Sequence, residues 1–343
     1  MDLGIDLGTS QVTIYASGRG IVLREPSVIA VDSASGRVIA CGQEAYDMLG
    51  RTPDSIRAVR PLSKGVISDY DYAEKMLRYF VRKVCRYKIL RPRAAVSVPA
   101  SVTEVEQRSV VEAVRAAGAR RVVLIEESMA AAIGAGLDVA AARGSMVVDI
   151  GGGTTDSAVL SLKGMAASAS IRVGGDAMNE AVRRYMHTGY NLVVGVQTAE
   201  RIKKTIGRAC PLDGDPVMPV KGRDAVTGLP RTREVRASEV EEALREPLAE
   251  IFSSVQKVLE SSPPELTGDV YERGITLTGG GSLLAGMDRA LSRFTGVRCT
   301  VADRPSDCVA LGTGEALKYV GQMSSGVYTI SQFGASLYND LDM

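Results

Sequence analysis

The sequence contains no tryptophan and a single histidine, His187, among its 343 residues. Its five cysteines are odd in number and form no Cys-x-x-Cys pair. Structural zinc sites and disulfide frameworks both need several such residues at characteristic spacings. We therefore expect neither, and we expect the thiols to be reduced and mostly packed inside the protein.

Positively and negatively charged residues are nearly equal in number, and no apolar run is long. The 41 basic and 40 acidic residues leave a formal net charge of +1, which gives no general attraction for nucleic acid or for an anionic membrane. Apolar runs end well before the ~18 residues that a membrane-spanning helix requires. The first motif starts so near the N-terminus that no signal peptide is expected. The composition thus predicts a cytoplasmic protein that does not bind nucleic acid.

The chain is longer than one hydrophobic core usually serves, and its pattern contains an internal repeat. In residues 3–15 an apolar strand leads into a glycine-containing turn and then a returning strand, and residues 146–161 repeat that order. Strand and helix patterns alternate over much of the chain. These patterns predict an α/β protein built from two related domains.

Both turns place a carboxylate at the end of an apolar strand, with glycine just after it. They read Asp6-Leu-Gly-Thr-Ser10 and Asp149-Ile-Gly-Gly-Gly-Thr-Thr-Asp156. Glycine lets the backbone approach an anion and turn N–H groups toward it, and a carboxylate beside phosphate needs a cation such as hydrated Mg²⁺ between them. Either turn alone is weak evidence, but the pair indicates a site for the phosphates of a nucleotide. The candidate phosphate ligands are Gly8, Thr9, Ser10, Gln11, Gly151, Gly152, Gly153, Thr154 and Thr155.

Three further segments carry weaker signals. Glu126 and Glu127 stand at a strand-to-helix junction, where an acid can polarise an attacking water or simply stabilise the helix N-terminus. The charged segment 198–204 reads, on its own, as a solvated helix face. Three successive glycines after the strand at 275–277 would let the backbone approach a base or ribose, although a flexible turn also explains them. The candidates in that segment are Gly279, Gly280, Gly281, Ser282 and Leu283.

These motifs together resemble those of the actin/Hsp70/sugar-kinase ATPase superfamily, whose phosphate-1, phosphate-2 and adenosine motifs they match in order. Longer stretches are similar to the MreB/Mbl family of bacterial actins, the rod shape-determining proteins, over about residues 3 to 320. Examples are Gly20-Ile-Val-Leu-Arg-Glu-Pro-Ser-Val28, Met48-Leu-Gly-Arg-Thr-Pro53, Ser170-Ile-Arg-Val-Gly-Gly-Asp176, Thr198-Ala-Glu-Arg-Ile-Lys203 and Cys308-Val-Ala-Leu-Gly-Thr-Gly314.

The resemblance implies an actin-like ATPase fold of two duplicated RNase H-like domains, each with a smaller inserted subdomain, and ATP with Mg²⁺ between them. By position, Glu127 and Thr154 would form the hydrolysis pair, and Asp6 and Asp149 would attend the metal through water. Glu200, Arg201 and Lys203 would contact the nucleoside, contrary to the solvated-face interpretation. The subdomains would be IA (1–31, 66–143 and 313–343), IB (32–65), IIA (144–176 and 240–312) and IIB (177–239).

The resemblance also implies a slow ATPase that assembles into paired protofilaments on the inner face of the cytoplasmic membrane. There it would organise membrane proteins of peptidoglycan elongation and so set cell shape. Ile89 and Leu90, which precede Arg91-Pro-Arg93 and follow several basic residues, would insert shallowly into the membrane. Taken alone, the same residues read as a loop with a buried apolar pair.

Three departures from the family pattern indicate a divergent paralogue with altered hydrolysis. Ser128 stands where proline is usual, Ser10-Gln11 where Ala-Asn is usual, and Asp156 where glutamate is common. The competing readings are a division or plasmid-segregation actin and a small-molecule kinase of the same superfamily. No dedicated acceptor motif for a kinase substrate is found.

Overall fold

The computed structural model describes residues 2–85 and 91–317. Among them, no helix has the length and apolar character needed to cross a membrane. The strands are β1 Asp2–Leu7, β2 Gln11–Ala16, β3 Gly20–Pro26, β4 Ile29–Asp32, β5 Val38–Cys41, β6 Ile56–Val59, β7 Leu62–Ser63, β8 Val66–Ile67, β9 Arg93–Val98, β10 Arg121–Glu126, β11 Ser145–Ile150, β12 Thr155–Ser161, β13 Gly164–Ile171, β14 Leu192–Val193, β15 Val217–Asp224, β16 Pro230–Arg236, β17 Ile275–Thr278 and β18 Cys299–Val301.

The helices alternate with these strands over most of the chain. They are α1 Gln43–Met48, α2 Tyr70–Val84, α3 Glu104–Ala116, α4 Glu127–Gly134, α5 Gly175–Tyr190, α6 Val196–Ile206, α7 Ala237–Ser261, α8 Pro264–Arg273, α9 Met287–Thr295 and α10 Cys308–Ala316. Two short 3₁₀ helices, Gly280–Leu283 and Pro305–Asp307, precede α9 and α10.

Two five-stranded sheets form the centres of the two halves of the molecule. The sheet of the first half has the order β3-β2-β1-β9-β10, and that of the second half has the order β13-β12-β11-β17-β18. In each, the central strand pairs antiparallel with its hairpin partner and parallel with the strand on its other side. Identical order and direction confirm the internal repeat that the sequence predicts.

Two small antiparallel sheets occupy the places where the sequence predicts insertions. One has the order β5-β4-β6, and the other has the order β14-β15-β16. The first begins at Ile29, slightly before the predicted start of subdomain IB at residue 32. The exact boundaries of the four subdomains stay a prediction, but each half carries one five-stranded and one three-stranded sheet, and the first half adds the two-stranded sheet β7-β8.

The halves meet through α4 and α10, which pack backbone against backbone. A Cβ atom built on Gly312 would lie 1.8 Å from the Ala130 carbonyl oxygen, and one built on Gly134 would lie 1.8 Å from the Cys308 carbonyl oxygen. Only glycine allows this approach. An apolar cluster with buried residues from both halves, including Ile125 and Leu160, surrounds the contact.

Alanine is expected to destabilise the protein at a glycine of this contact and to stabilise it at a glycine outside the contact. We expect Gly312→Ala to lower the free energy of unfolding by about 2 kcal/mol or more, because the new methyl group overlaps α4. Gly268→Ala is the matched control, since nothing lies within 4 Å of the built Cβ atom in helix α8. There we expect a gain of about 0.5–1 kcal/mol. Urea unfolding measures both, and equal stability of the two variants would contradict the described packing.

Candidate functional site

The two glycine turns predicted to bind phosphate face each other across the halves. The first turn (8–10) joins β1 to β2, and the second turn (151–154) joins β11 to β12. A Cβ atom built on Gly152 would lie 2.2 Å from Ser10 Oγ, and one built on Gly153 would lie 2.3 Å from Thr9 Oγ1. Hydroxyls of the first turn therefore lie directly against the bare backbone of the second.

Hydrogen bonds from two other parts of the first half hold the first turn in place. Thr9 Oγ1 accepts from the Gly65 backbone N–H at 2.8 Å, and the Ser27 hydroxyl donates to the Gly8 carbonyl at 2.6 Å. Gly8 approaches the backbone of Gln11 so closely that a Cβ atom would lie 2.7 Å from its carbonyl oxygen. The glycine in this turn is thus required by the hairpin itself, in addition to any ligand.

The second turn is tied to the start of helix α5. The backbone N–H of Gly175 donates to the Gly151 carbonyl at 3.0 Å, and that of Asp176 donates to the Gly152 carbonyl at 2.8 Å. The Thr155 hydroxyl donates to a nearby backbone carbonyl at 2.8 Å. These bonds engage carbonyl groups, which would otherwise repel an anion.

Asp6 and Asp149 stand at the ends of β1 and β11, one beneath each turn. Asp149 is buried and accepts a hydrogen bond from the Thr278 hydroxyl at 2.6 Å, while Ser97 donates to Asp6 at 3.5 Å. Burial and the charge of Asp149 raise the pKa of Asp6 to about 8. Burial is also the main cause that raises the pKa of Asp149 to about 7.

Glu127 and Thr154, the predicted hydrolysis pair, are in contact. Glu127 is the first residue of α4 and is buried, and the Thr154 hydroxyl donates to its Oε2 atom at 3.5 Å. Burial, followed by the charges of nearby carboxylates such as Asp156, raises the pKa of Glu127 well above its usual value. Glu126 is the residue just before α4 and makes no side-chain capping hydrogen bond to it.

Two further acids of the cleft, Glu126 and Asp156, also have raised pKa values. Burial raises the pKa of Glu126 to about 7 and raises the pKa of Asp156, whose Oδ2 atom is buried without a hydrogen-bond partner. Within residues 2–85 and 91–317, no three His, Cys, Asp or Glu side chains are arranged to hold a metal ion directly. A hydrated divalent cation that reaches Asp6 and Asp149 through its waters fits these observations.

The third turn (279–283) lies against the end of β11. Gly279 has φ +78°, and a Cβ atom there would lie 2.3 Å from the Ile150 carbonyl oxygen. At Gly281 a Cβ atom would lie 2.4 Å from the Ile150 side chain. Packing on the second half therefore requires both glycines without any ligand. Of the other candidates, Gly280 and Leu283 are exposed, and Ser282 is buried and donates to the Gly279 carbonyl.

Helix α6 is not a solvated surface helix. Its Lys203 donates to the Gly175 carbonyl at 2.8 Å, and burial lowers the pKa of this lysine to about 8. Glu200 is half-buried and pairs with Lys204 at 2.6 Å. Arg201 is exposed, so the solvated interpretation holds for this residue alone among the three candidates of α6.

The sequence analysis did not identify the polar side chains that join the two halves near the turns. Asp176 accepts from Ser10 Oγ at 3.4 Å and pairs with Arg60 at 3.2 Å. The Tyr46 hydroxyl donates to Glu200 at 2.7 Å. The glycine pair directly before Asp176 could have indicated that this residue lies near the turns. No local pattern in the sequence marks Arg60 or Tyr46 as a contact between the halves. Ile89 and Leu90, the predicted membrane residues, lie outside the described residues.

The repeated sheets, the facing aspartate-glycine turns and the third glycine turn define an actin-like fold with a nucleotide-type cleft. The family model for MreB/Mbl proteins matches residues 1–325. The chain therefore belongs to the MreB/Mbl family. It is 49% identical to the cell shape-determining protein MreB of Escherichia coli K12 over 334 residues, which cover 96% of each chain. It is 46% identical to the cell shape-determining protein Mbl of Bacillus subtilis 168, over 92% of this chain and 95% of that one.

Solved structures agree with this assignment. The crystal structure of MreB5 of Spiroplasma citri bound to ADP has a TM-score of 0.88 and 35% identity, and the match covers 93% of this chain and 96% of that one. The same protein bound to AMPPNP gives the same values. The MamK double helical filament, at 22% identity and a TM-score of 0.78, shows the shared fold alone.

Proposed function

We propose that this chain binds ATP with Mg²⁺ between its two halves and uses the nucleotide to control its own assembly into filaments. The facing turns at 8–10 and 151–154 carry this proposal, because they bring hydroxyls, bare backbone and two aspartates to one place. The structures of the Spiroplasma citri relative with ADP and AMPPNP support it.

In this proposal the aspartates, the three glycine turns and helix α6 have separate roles. Asp6 and Asp149 hold the hydrated metal ion, and the two turns bind the phosphates through backbone N–H groups and hydroxyls. The metal ion would neutralise the negative charge of the phosphates. The nucleoside lies against the third turn (279–283) and against helix α6. Glu200, Lys203 and Arg201 are the proposed contacts of α6, with Arg201 the most peripheral because it is exposed.

We assign a slow hydrolysis of ATP to Glu127 and Thr154. Glu127 accepts a proton from a water molecule whose oxygen attacks the γ-phosphorus, while the bond to the β–γ bridging oxygen breaks and ADP leaves with that electron pair. Thr154 holds the Glu127 carboxylate in position through its hydroxyl. Before it can act, Glu127 must lose the proton that burial favours, and a bound cation nearby makes this loss easier.

The filament is proposed to be a paired protofilament on the inner face of the cytoplasmic membrane, where it organises peptidoglycan synthesis and sets cell shape. The names of the Escherichia coli and Bacillus subtilis relatives support the role in cell shape. Ile89 and Leu90 would anchor each subunit, and many weak anchors along one filament would add up to stable membrane binding.

Light scattering and liposome sedimentation test this function together. With ATP and Mg²⁺ we expect scattering to rise, and we expect filaments to sediment with anionic liposomes. The double variant Ile89→Asn, Leu90→Asn should still polymerise but should lose most of its liposome binding. The exposed pair Val226→Asn, Leu229→Asn on the β15–β16 hairpin is the matched control. Nucleotide-independent scattering, or ADP release that requires a sugar, would contradict the proposal.

A further inference from the structure

Helix α1 and helix α6 are joined by two hydrogen bonds made by one residue, Tyr46. Its hydroxyl donates to Glu200 Oε2 at 2.7 Å, and its backbone carbonyl accepts from the Gln197 side-chain amide. Helix α1 lies between β5 and β6 of the small sheet in the first half, whereas α6 lies between β14 and β15 in the second. Tyr46 therefore links the two inserted parts of the molecule, separated by 154 residues in sequence.

The hydroxyl contact is a charge-assisted hydrogen bond in a half-buried place. Burial raises the pKa of the Glu200 carboxyl, but hydrogen bonds from Lys204 and Tyr46, together with the charges of Lys204 and Lys203, more than offset burial and hold that pKa below its usual value. Burial and the Glu200 carboxylate raise the pKa of the Tyr46 hydroxyl, so this hydroxyl remains a donor at neutral pH. Hydrogen bonds to an ionised acceptor are about twice as strong as neutral ones.

Glu200 can serve Tyr46 and a nucleoside hydroxyl at the same time. A carboxylate offers about four acceptor positions, and the described contacts use one from Tyr46 and one from Lys204. Arg60 and Ser10 also contact the second half, both through Asp176. Tyr46 differs from them because its partner is a residue assigned to the nucleoside.

We propose that Tyr46 is a positioning residue that latches the cleft over the nucleoside, so that a nucleotide enters or leaves only after Tyr46 separates from Glu200 and Gln197. This inference rests on the proposed nucleotide site. The latch acts on passage through the cleft and not on the chemistry at Glu127.

A latch has a kinetic signature that a simple binding contact lacks. If entry and exit both require the open state, weakening the latch raises the open fraction and accelerates association and dissociation by similar factors. The equilibrium constant then changes little. Loss of an ordinary ligand contact raises the dissociation rate alone and weakens the affinity by the same factor.

Tyr46→Phe removes the hydroxyl and keeps the backbone carbonyl that Gln197 contacts. Stopped-flow fluorescence with etheno-ADP and Mg²⁺, whose label is on the base, gives both rate constants. For Tyr46→Phe we expect each to rise about three- to tenfold, with the dissociation constant within about twofold of the parent chain. Gln197→Ala, which leaves the hydroxyl contact in place, should act in the same direction. The control Tyr271→Phe, on an exposed tyrosine of α8, should change neither rate.

The possible results separate the latch from the proposed function. Unchanged rates in both Tyr46→Phe and Gln197→Ala would overturn the latch, as would faster dissociation with unchanged association. Failure of the parent chain to bind etheno-ADP would overturn the nucleotide site itself and the latch with it. Thermal unfolding of each variant without nucleotide identifies a folding defect, and Gln197→Ala then carries the test if Tyr46→Phe is unstable.

Discussion

Replacing Glu127 by alanine is expected to slow phosphate release from ATP by about 100-fold or more while leaving ATP affinity nearly unchanged. A positioned general base contributes about 10²- to 10⁴-fold to proton transfer, and alanine has no group to take its place. Glu127 contacts Thr154 and is buried. Alanine removes the proton acceptor and leaves the residues of both turns in place. Single-turnover phosphate release, with binding measured in parallel, reports both quantities.

Two companion variants sharpen this prediction. Glu127→Gln keeps the shape of the side chain and should be slowed nearly as much as alanine, because an amide does not accept the proton. Glu104→Ala, which removes an exposed acid at the start of α3, should hydrolyse ATP at the parent rate. If Glu127→Ala releases phosphate as fast as the parent chain, the assignment of Glu127 is wrong.

Replacing Asp6 by asparagine is expected to stabilise the nucleotide-free chain increasingly as pH rises from about 4 to about 8. The pKa of Asp6 is raised to about 8, so the folded chain keeps a proton on this carboxyl that the unfolded chain loses near pH 4. The free energy of unfolding of the parent chain therefore falls with pH across this window, relative to the variant, and levels off above it. We expect a total difference of about 2–4 kcal/mol, since water in the cleft reduces the full effect.

Urea unfolding of both chains at several pH values measures this difference. Asp54→Asn, at an exposed aspartate between α1 and β6, is the control and should follow the parent chain. Adding Mg²⁺ and ATP should reverse the order, because the ionised Asp6 then meets a cation and the variant does not. A parent chain that gains stability over the variant between pH 4 and 8 without ligand would contradict the electrostatics described for the cleft.

The sequence was sufficient to predict the parts of the site that are local in the chain. An apolar strand, an aspartate, glycine and a hydroxyl residue occur together within a few residues, and their physical roles follow from residue type. The paired sheets were predicted for the same reason, because the pattern occurs twice. The structure confirms the repeat and the position of both turns at the strand ends.

Contacts between the halves could not be predicted in this way. Arg60 and Asp176 are 116 residues apart, and Tyr46 and Glu200 are 154 apart, so their pairing depends on how the two halves pack. Gly279 shows a different limit. The three successive glycines suggested that the backbone approaches a ligand. Gly279 is already required by its close contact with Ile150, a residue that is far away in sequence.

The departure at Ser128 also acquires a physical account from the structure. The resemblance to the family implies proline at this place, and its ring would fix the backbone after Glu127. Ser128 is instead buried, and its hydroxyl contacts the Met165 sulfur of β13 at 3.4 Å. The residue after Glu127 is thus held by a side-chain contact to the second half of the molecule. We expect a movement between the halves to shift the backbone next to Glu127, the proposed base.

The glycine contact between α4 and α10 has a mechanical consequence. Helices that interlock through large side chains resist rotation, because ridges must leave their grooves before either helix can turn. Gly134 and Gly312 present no such ridges, so at these two positions the helices meet without interlocking side chains. We therefore expect this contact to resist compression more strongly than rotation. On this expectation, a twist between the two halves would cost little energy and would leave the two large sheets unchanged.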